Sequence, residues 1–177
     1  LGMKLTTRLA TALLLLPLMG LSSAFAQVAA PKVGDRIGDW TFQCQALSAQ
    51  DTVCALVQIA ADEKNKQQLM KTVVHPVGKG KDRKLRLVVT VPLGIFLATG
   101  IAGKIDEGKQ FNFVLLTCRQ NGCEAAVDID AKMRKAMQAG NQLVVAFKPR
   151  PNSKAFGVRV SLNGFTAGMR TLSDSKK

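Results

Sequence analysis

Two cysteines that flank a tight polar turn constrain the fold of this chain most strongly. The stretch from Gln110 to Asp130 has the pattern of two strands with alternating polar and apolar residues, joined at Asn121-Gly122. Asn-Gly accepts the positive backbone φ that a reversal between antiparallel strands needs. With a loop from Arg119 to Gly122, Cys118 lies opposite Cys123, and a disulfide between them would fix the register of the hairpin.

The same register makes the apolar faces of the two arms agree. It places Leu116 opposite Ala125 and Val114 opposite Val127, on the face that also carries both cysteines. We therefore predict that these four side chains face a core. Two reduced cysteines beside a hairpin are the alternative, and the N-terminus argues against it.

The first 26 residues have the features of a secretory signal peptide. A basic head with Lys4 and Arg8 precedes an apolar run from Leu9 to Met19, and Ala24-Phe25-Ala26 fits the small-x-small site of a signal peptidase. A transmembrane anchor is the alternative, but the run is shorter than the roughly 20 residues that a span needs. We predict residues 1–26 as the signal peptide and residues 27–177 as one mature domain that begins at Gln27.

Export would place the four cysteines in an oxidising compartment, where two disulfides are expected. Three pairings are possible. The local one joins Cys44 to Cys54 and Cys118 to Cys123, and each bond would then stabilise the fold by roughly 2–3 kcal/mol. A zinc site is the rival, but the gaps between the cysteines do not match the usual two-residue knuckle, and the single histidine, His75, is adjacent to none of them. We predict structural disulfides, no metal and no cofactor.

Short segments with period-2 alternation recur along the predicted mature chain. Trp40–Ala46 and Phe156–Asn163 are two clear examples. One short helix is predicted from Ala131 to Ala139, because Asp130 can cap its start and Gly140 can end it. About eight short strands separated by turns predict an all-β fold with minor α, a β-sandwich with two local disulfides, and an open barrel is the alternative.

The sequence shows no constellation typical of catalysis. It lacks a G-x-S-x-G motif, and the stretch from Gly100 to Lys104 resembles a phosphate loop but is followed by Ile105 where Ser or Thr would bind magnesium. Asp128 and Asp130 share a strand face and could bind a cation or act as paired acids, although a solvated edge and a helix cap explain them more simply. His75 has no acid beside it and is interpreted as structural. We predict a protein that is not an enzyme.

Positive charge is the feature that rises above the background. The chain has 25 basic and 12 acidic side chains, a net charge of +13, or about +11 without the leader. One group of cations occupies eight residues: Lys79, Lys81, Arg83, Lys84 and Arg86. A second group contains Lys148, Arg150, Lys154 and Arg159. Such groups attract phosphate, sulfate or carboxylate polymers, whereas nucleic acid is disfavoured because exposed aromatic residues are scarce. A solubilising surface is the alternative.

The order and spacing of several short stretches carry a resemblance to a known family. They are Gly38-Asp39-Trp40, Cys54-Ala55-Leu56-Val57-Gln58, Val91-Pro92-Leu93-Gly94-Ile95, Gly100-Ile101, Ile105-Asp106, the Cys118…Gly122-Cys123 turn and Ser161-Leu162-Asn163-Gly164-Phe165. From roughly Gly38 to Leu172 the chain resembles the invasion-associated locus B proteins of Gram-negative bacteria. The resemblance implies an immunoglobulin-like β-sandwich, export and, for some members, a part in entry into host cells. It supplies no catalytic residues.

Two classes of function follow from these observations. The first is an exported, non-enzymatic protein that acts by contact with an envelope or host-surface partner. Lipopolysaccharide phosphates or a sulfated polysaccharide would be held by the run from Lys79 to Arg86. The second is a periplasmic small-ligand binder or enzyme, for which a deep polar pocket lined by His75 or by Asp128 and Asp130 would be evidence. The predicted location is the periplasm, the outer membrane or the exterior, without a transmembrane segment in the mature chain.

Overall fold

Antiparallel strands and two short helices make up the described part of the computed structural model, which comprises residue 2 and residues 31–49, 51–78 and 80–175. Apart from residue 2, the predicted signal peptide lies outside the described residues, as do Gln27 and Lys79. The strands are β1 (Arg36–Ile37), β2 (Trp40–Ala46), β3 (Thr52–Ala61), β4 (Gln68–Val77), β5 (Lys84–Val91), β6 (Ile101–Ile105), β7 (Phe111–Arg119), β8 (Gly122–Ile129), β9 (Gln142–Phe147) and β10 (Phe156–Ser161). The helices are α1 (Ala131–Ala139) and α2 (Phe165–Asp174).

The strands pair in the continuous order β1-β2-β3-β4-β5-β8-β7-β6-β9-β10. Strand β7 joins the two halves of this sheet, because residues 111–113 pair with β6 and residues 114–119 pair with β8. The halves face each other across one core, in which Trp40, Leu56 and Leu87 from the first half pack in the same cluster as Leu143 and Val160 from the second. The predicted all-β sandwich with minor helix is confirmed.

Both predicted disulfides are present and local. Cys44 is bonded to Cys54 between directly opposed positions of β2 and β3, and Cys118 is bonded to Cys123 across the turn between β7 and β8. Each bond therefore links two neighbouring strands at a position where the ladder already brings their Cα atoms close together.

Helix α1 has the bounds that its sequence predicts. The Oδ1 atom of Asp130 accepts a hydrogen bond of 2.6 Å from the backbone N–H of Met133, which satisfies a donor of the first turn. Helix α2 follows Gly164 and buries Phe165, Met169 and Leu172 against the sheet. It covers one side of the core.

The hairpin between β7 and β8 departs from its predicted register beyond the disulfide. Leu115, and not Leu116, lies opposite Ala125, and Val114 lies opposite Ala126. The prediction for these pairs was wrong because a bulge between Leu115 and Thr117 shifts the ladder by one residue, and a one-residue shift moves side chains to the other face. Val114 and Leu116 are accordingly 68% and 53% exposed.

Candidate functional site

The first basic group lies on the connection between β4 and β5. Lys81 belongs to a single 3-10 turn, Gly80–Asp82, and Arg83 and Lys84 follow it directly. These three cations are exposed, and in the described part of the chain none has a carboxylate within ion-pair distance. The loop thus presents their long side chains to solvent, which is the arrangement expected of a surface that contacts an anion.

Arg86 differs from the rest of the group because it is paired. Its Nε atom donates a hydrogen bond of 2.7 Å to Oδ1 of Asp128, the residue directly opposite on β8. This hydrogen bond, together with the positive charges of Arg86 and Lys84, lowers the pKa of Asp128, and the same bond raises the pKa of Arg86. Arg86 is consequently less available to a partner than the other members of the predicted group.

The two aspartates that could have formed a pair of acids have separate structural roles. Asp130 caps α1 as predicted, whereas Asp128 is exposed but lies on the inner strand β8, where Arg86 holds it, and not at an edge of the sheet. His75 lies on β4 with Nδ1 3.2 Å from the carbonyl oxygen of Pro76. Within the described ranges, no group of three or more His, Cys, Asp or Glu side chains is placed to hold a metal ion.

A groove of about 460 Å³ adjoins the basic loop. Arg83 and Lys84 line it together with Arg134 of α1. Its apolar lining includes Leu85 of β5 and Met169 of α2. The groove therefore combines three cations with an apolar surface.

Sequence reasoning missed Arg134 as a member of this site. Arg134 follows the predicted cap Asp130 by four positions, and the backbone N–H of Arg134 bonds to the carbonyl oxygen of that residue. Only the packing of α1 against β8 and α2 places this cation next to Arg83 and Lys84, at the start of β5. Arg134 is a cation on a predicted helix, which is the one signal that could have suggested it. Its distance in sequence from Arg83 and Lys84 gives no indication that the three residues meet.

The second basic group forms a different surface. Lys148, Arg150 and Lys154 lie in the connection between β9 and β10, and Arg159 lies on β10. No residue that lines the groove comes from β6, β7, β9 or β10. The structure thus keeps the two groups of cations on separate elements.

Two of the stretches that carry the family resemblance, residues 38–40 and 161–165, are in contact in the structure. Oγ of Ser161 donates to Oδ2 of Asp39 at 2.6 Å, and the backbone N–H of Asp39 donates to the carbonyl oxygen of Asn163 at 3.2 Å. The rings of Trp40 and Phe165 pack with their centroids 5.7 Å apart. These residues hold the start of the sheet against the end of β10 and the start of α2, so their role is structural.

The site and the fold together define a class of protein: a disulfide-bonded β-sandwich with a basic surface groove and no described helix that is long and apolar enough to cross a membrane. A family model described as "Invasion associated locus B (IalB) protein" matches residues 40–173. The chain belongs to the invasion-associated locus B family. This membership and the two disulfides indicate an exported protein.

Individual relatives support the same assignment. Two proteins of Brucella abortus, from strain 2308 and from biovar 1 strain 9-941, are described as invasion protein B homologues. Each is 30% identical to this chain over 131 residues, which cover 74% of this chain and 73% of the relative. The crystal structure of invasion associated protein B from Bartonella henselae matches with a TM-score of 0.70 at 23% identity, and the match covers 80% of this chain and 95% of that one. The structural likeness shows that the fold is shared.

Proposed function

We propose that this exported protein acts by contact rather than by catalysis, and that the basic loop with its groove holds an anionic partner in the bacterial envelope or on a host-cell surface. The observation that carries the proposal is the grouping of Arg83, Lys84 and Arg134 around one groove, with exposed Lys81 nearby in the same loop. Lipopolysaccharide phosphates and sulfated polysaccharide are the two candidate chemistries. The name of the Brucella relatives supports a part in host-cell invasion.

The charges of the groove favour an anion over a cation. Two carboxylates, Asp128 and Asp130, also line it, but one is paired with Arg86 and the other accepts the hydrogen bond that caps α1. Asp128 is compensated by Arg86, which leaves one carboxylate, Asp130, against the three cations, and none of these cations has a carboxylate within ion-pair distance among the described residues. An anion that enters the groove therefore meets an excess of positive charge.

A small anionic ligand is the second candidate function. A volume of about 460 Å³ lies within the range of small-molecule sites, and Leu85, Met169 and Leu172 offer apolar surface to the rest of such a ligand. In this case a soluble monomeric anion would compete with the polymeric partner. If the groove contacts only a polymer, monomeric anions should not compete for binding.

The test is binding to heparin resin and to purified lipopolysaccharide across a salt series. Wild type is compared with a variant in which Lys79, Lys81, Arg83 and Lys84 are changed to glutamine, and with Arg134→Gln. Both variants should elute at lower salt, because fewer cations release fewer counterions on binding. Lys135→Gln is the matched control for Arg134→Gln, since it removes the same charge from the same helix but does not line the groove.

Two results would contradict the proposal. Elution of the fourfold variant at the same salt as wild type would show that the loop is only a solvated surface. Equal shifts for Arg134→Gln and Lys135→Gln would show that net charge, and not the groove, governs binding. Circular dichroism of each variant confirms that the fold is retained.

A further inference from the structure

Four neighbouring strands end in segments without acidic residues. Ile101 of β6 lies opposite Phe113 of β7, Ala102 lies opposite Ala146 of β9, and Phe156 of β10 lies opposite Phe147. In this half of the sheet, the starts of β6 and β10 therefore lie at one end. The residues after position 113 of β7 and after position 147 of β9 lie at the same end. Residues 96–102, 113–115 and 146–157, which the strand register places at this end, contain no Asp or Glu.

Large apolar side chains are exposed at the same end. Leu97 and Phe156 are 46% and 43% exposed, and Val114, which directly follows Phe113 of β7, is 68% exposed. The backbone N–H of Phe96 donates to the carbonyl oxygen of Lys148 at 2.7 Å, which attaches the turn of Leu97 beside β9. These three apolar residues are unlike the isolated exposed residues of an ordinary surface, because the strand register places them at one end.

Cations accompany these apolar residues on an ordered turn. The backbone N–H of Arg150 donates to Oγ of Ser153, and this Oγ and the backbone N–H of Ser153 both donate to the carbonyl oxygen of Arg150. The turn thereby fixes where Lys148, Arg150 and Lys154 leave the backbone. None of the three has a carboxylate within ion-pair distance in the described part of the chain. We call this set the amphiphilic end: Leu97, Val114, Phe156, Lys148, Arg150 and Lys154.

We propose that the amphiphilic end binds the surface of an anionic phospholipid bilayer. Exposed Leu and Phe side chains are suited to the boundary between headgroups and acyl chains, and Lys and Arg extend from the same surface to lipid phosphates. A second copy of the chain fits less well, since two such ends would bring three cations against three others without a compensating acid. The surface is separate from the groove, so this inference goes beyond the proposed function.

Flotation with phospholipid vesicles tests the inference on the full exported chain. Wild type should bind vesicles of phosphatidylcholine with phosphatidylglycerol, and binding should weaken with salt and in vesicles of phosphatidylcholine alone. Each Lys or Arg near an anionic surface contributes roughly fivefold to partitioning, so changing Lys148, Arg150 and Lys154 to glutamine should reduce it roughly 100-fold. Leu97→Ser combined with Phe156→Ser should weaken binding at every salt concentration, because the apolar contribution is not screened.

The matched control removes three exposed charges elsewhere: Lys109→Gln, Lys132→Gln and Lys135→Gln. This variant should bind vesicles like wild type. Failure of wild type to float, or equal losses for the two triple variants, would overturn the inference. Self-association in sedimentation velocity that Leu97→Ser with Phe156→Ser abolishes, without vesicle binding by wild type, would instead assign this end to contact between copies.

Discussion

Gln58 and Ser161, which are 103 residues apart in sequence, are joined by two hydrogen bonds. Nε2 of Gln58 donates to the carbonyl oxygen of Ser161 at 3.1 Å, and the backbone N–H of Ser161 donates to Oε1 of Gln58 at 2.8 Å. The side-chain amide thus pairs with the backbone at the end of β10 much as a neighbouring strand would. It connects the first half of the sheet to the last strand of the second half.

Replacing Gln58 by alanine should destabilise the protein, because both backbone groups of Ser161 lose their partner in a half-buried place. We expect a loss of about 1–3 kcal/mol in the free energy of unfolding, measured by urea denaturation. Gln43→Ala, an exposed glutamine on β2, is the control and should change stability by less than about 0.5 kcal/mol. Equal effects of the two changes would show that the amide of Gln58 contributes nothing specific.

The two disulfides should differ in their contribution to stability according to the chain that each encloses. The sequence separation is 10 for Cys44–Cys54 and 5 for Cys118–Cys123. Loop-closure entropy predicts losses of about 3 and about 2 kcal/mol when each pair is replaced by two alanines. Denaturation under non-reducing conditions measures both losses, and peptide mapping without reductant verifies the pairing. A larger loss from the shorter loop would contradict the entropic account.

The ion pair between Arg86 and Asp128 predicts that the free energy of unfolding depends on pH in the acidic range. Since the pKa of Asp128 is lowered in the folded state, its contribution is fully present above the ordinary carboxyl pKa, near 4, and is lost as pH falls through the lower folded value. Asp128→Asn should therefore lose less stability than wild type between neutral and acidic pH. Unfolding by urea at several pH values measures this difference. Asp82→Asn, which removes a carboxylate that has no ion-pair partner among the described residues, is the control for the loss of one negative charge.

Gly164 should not tolerate a side chain. Its φ is +85°, and a Cβ there would overlap the backbone carbonyl of Ile37. Gly94 has a nearly identical φ of +87° but open space around it, so Gly94→Ala measures the cost of the backbone conformation alone, about 1–2 kcal/mol. Gly164→Ala adds the collision and should cost more than about 4 kcal/mol, or prevent folding. Similar melting temperatures for the two variants would show that the contact with Ile37 is loose.

Local patterns in the sequence determined much of the fold. Alternating residues gave the strands, as in Trp40–Ala46, because a strand with one buried face must repeat every two residues. Asp130 and Gly140 gave the bounds of α1, because capping depends on residues at the helix ends themselves. The spacing of Cys118 and Cys123 around Asn121-Gly122 gave the disulfide for the same reason. In each case the interacting groups are close in sequence.

Tertiary structure alone decided the register beyond that disulfide and the composition of the site. A period-2 pattern does not show where a bulge lies, so the exposure of Val114 and Leu116 could not be inferred from their neighbours. The pairing of Arg86 with Asp128 joins residues 42 positions apart, and Arg134 reaches the groove only through the packing of α1. Charge in a sequence shows which residues can bind an anion, but partners and neighbours across the fold decide which of them are free to do so.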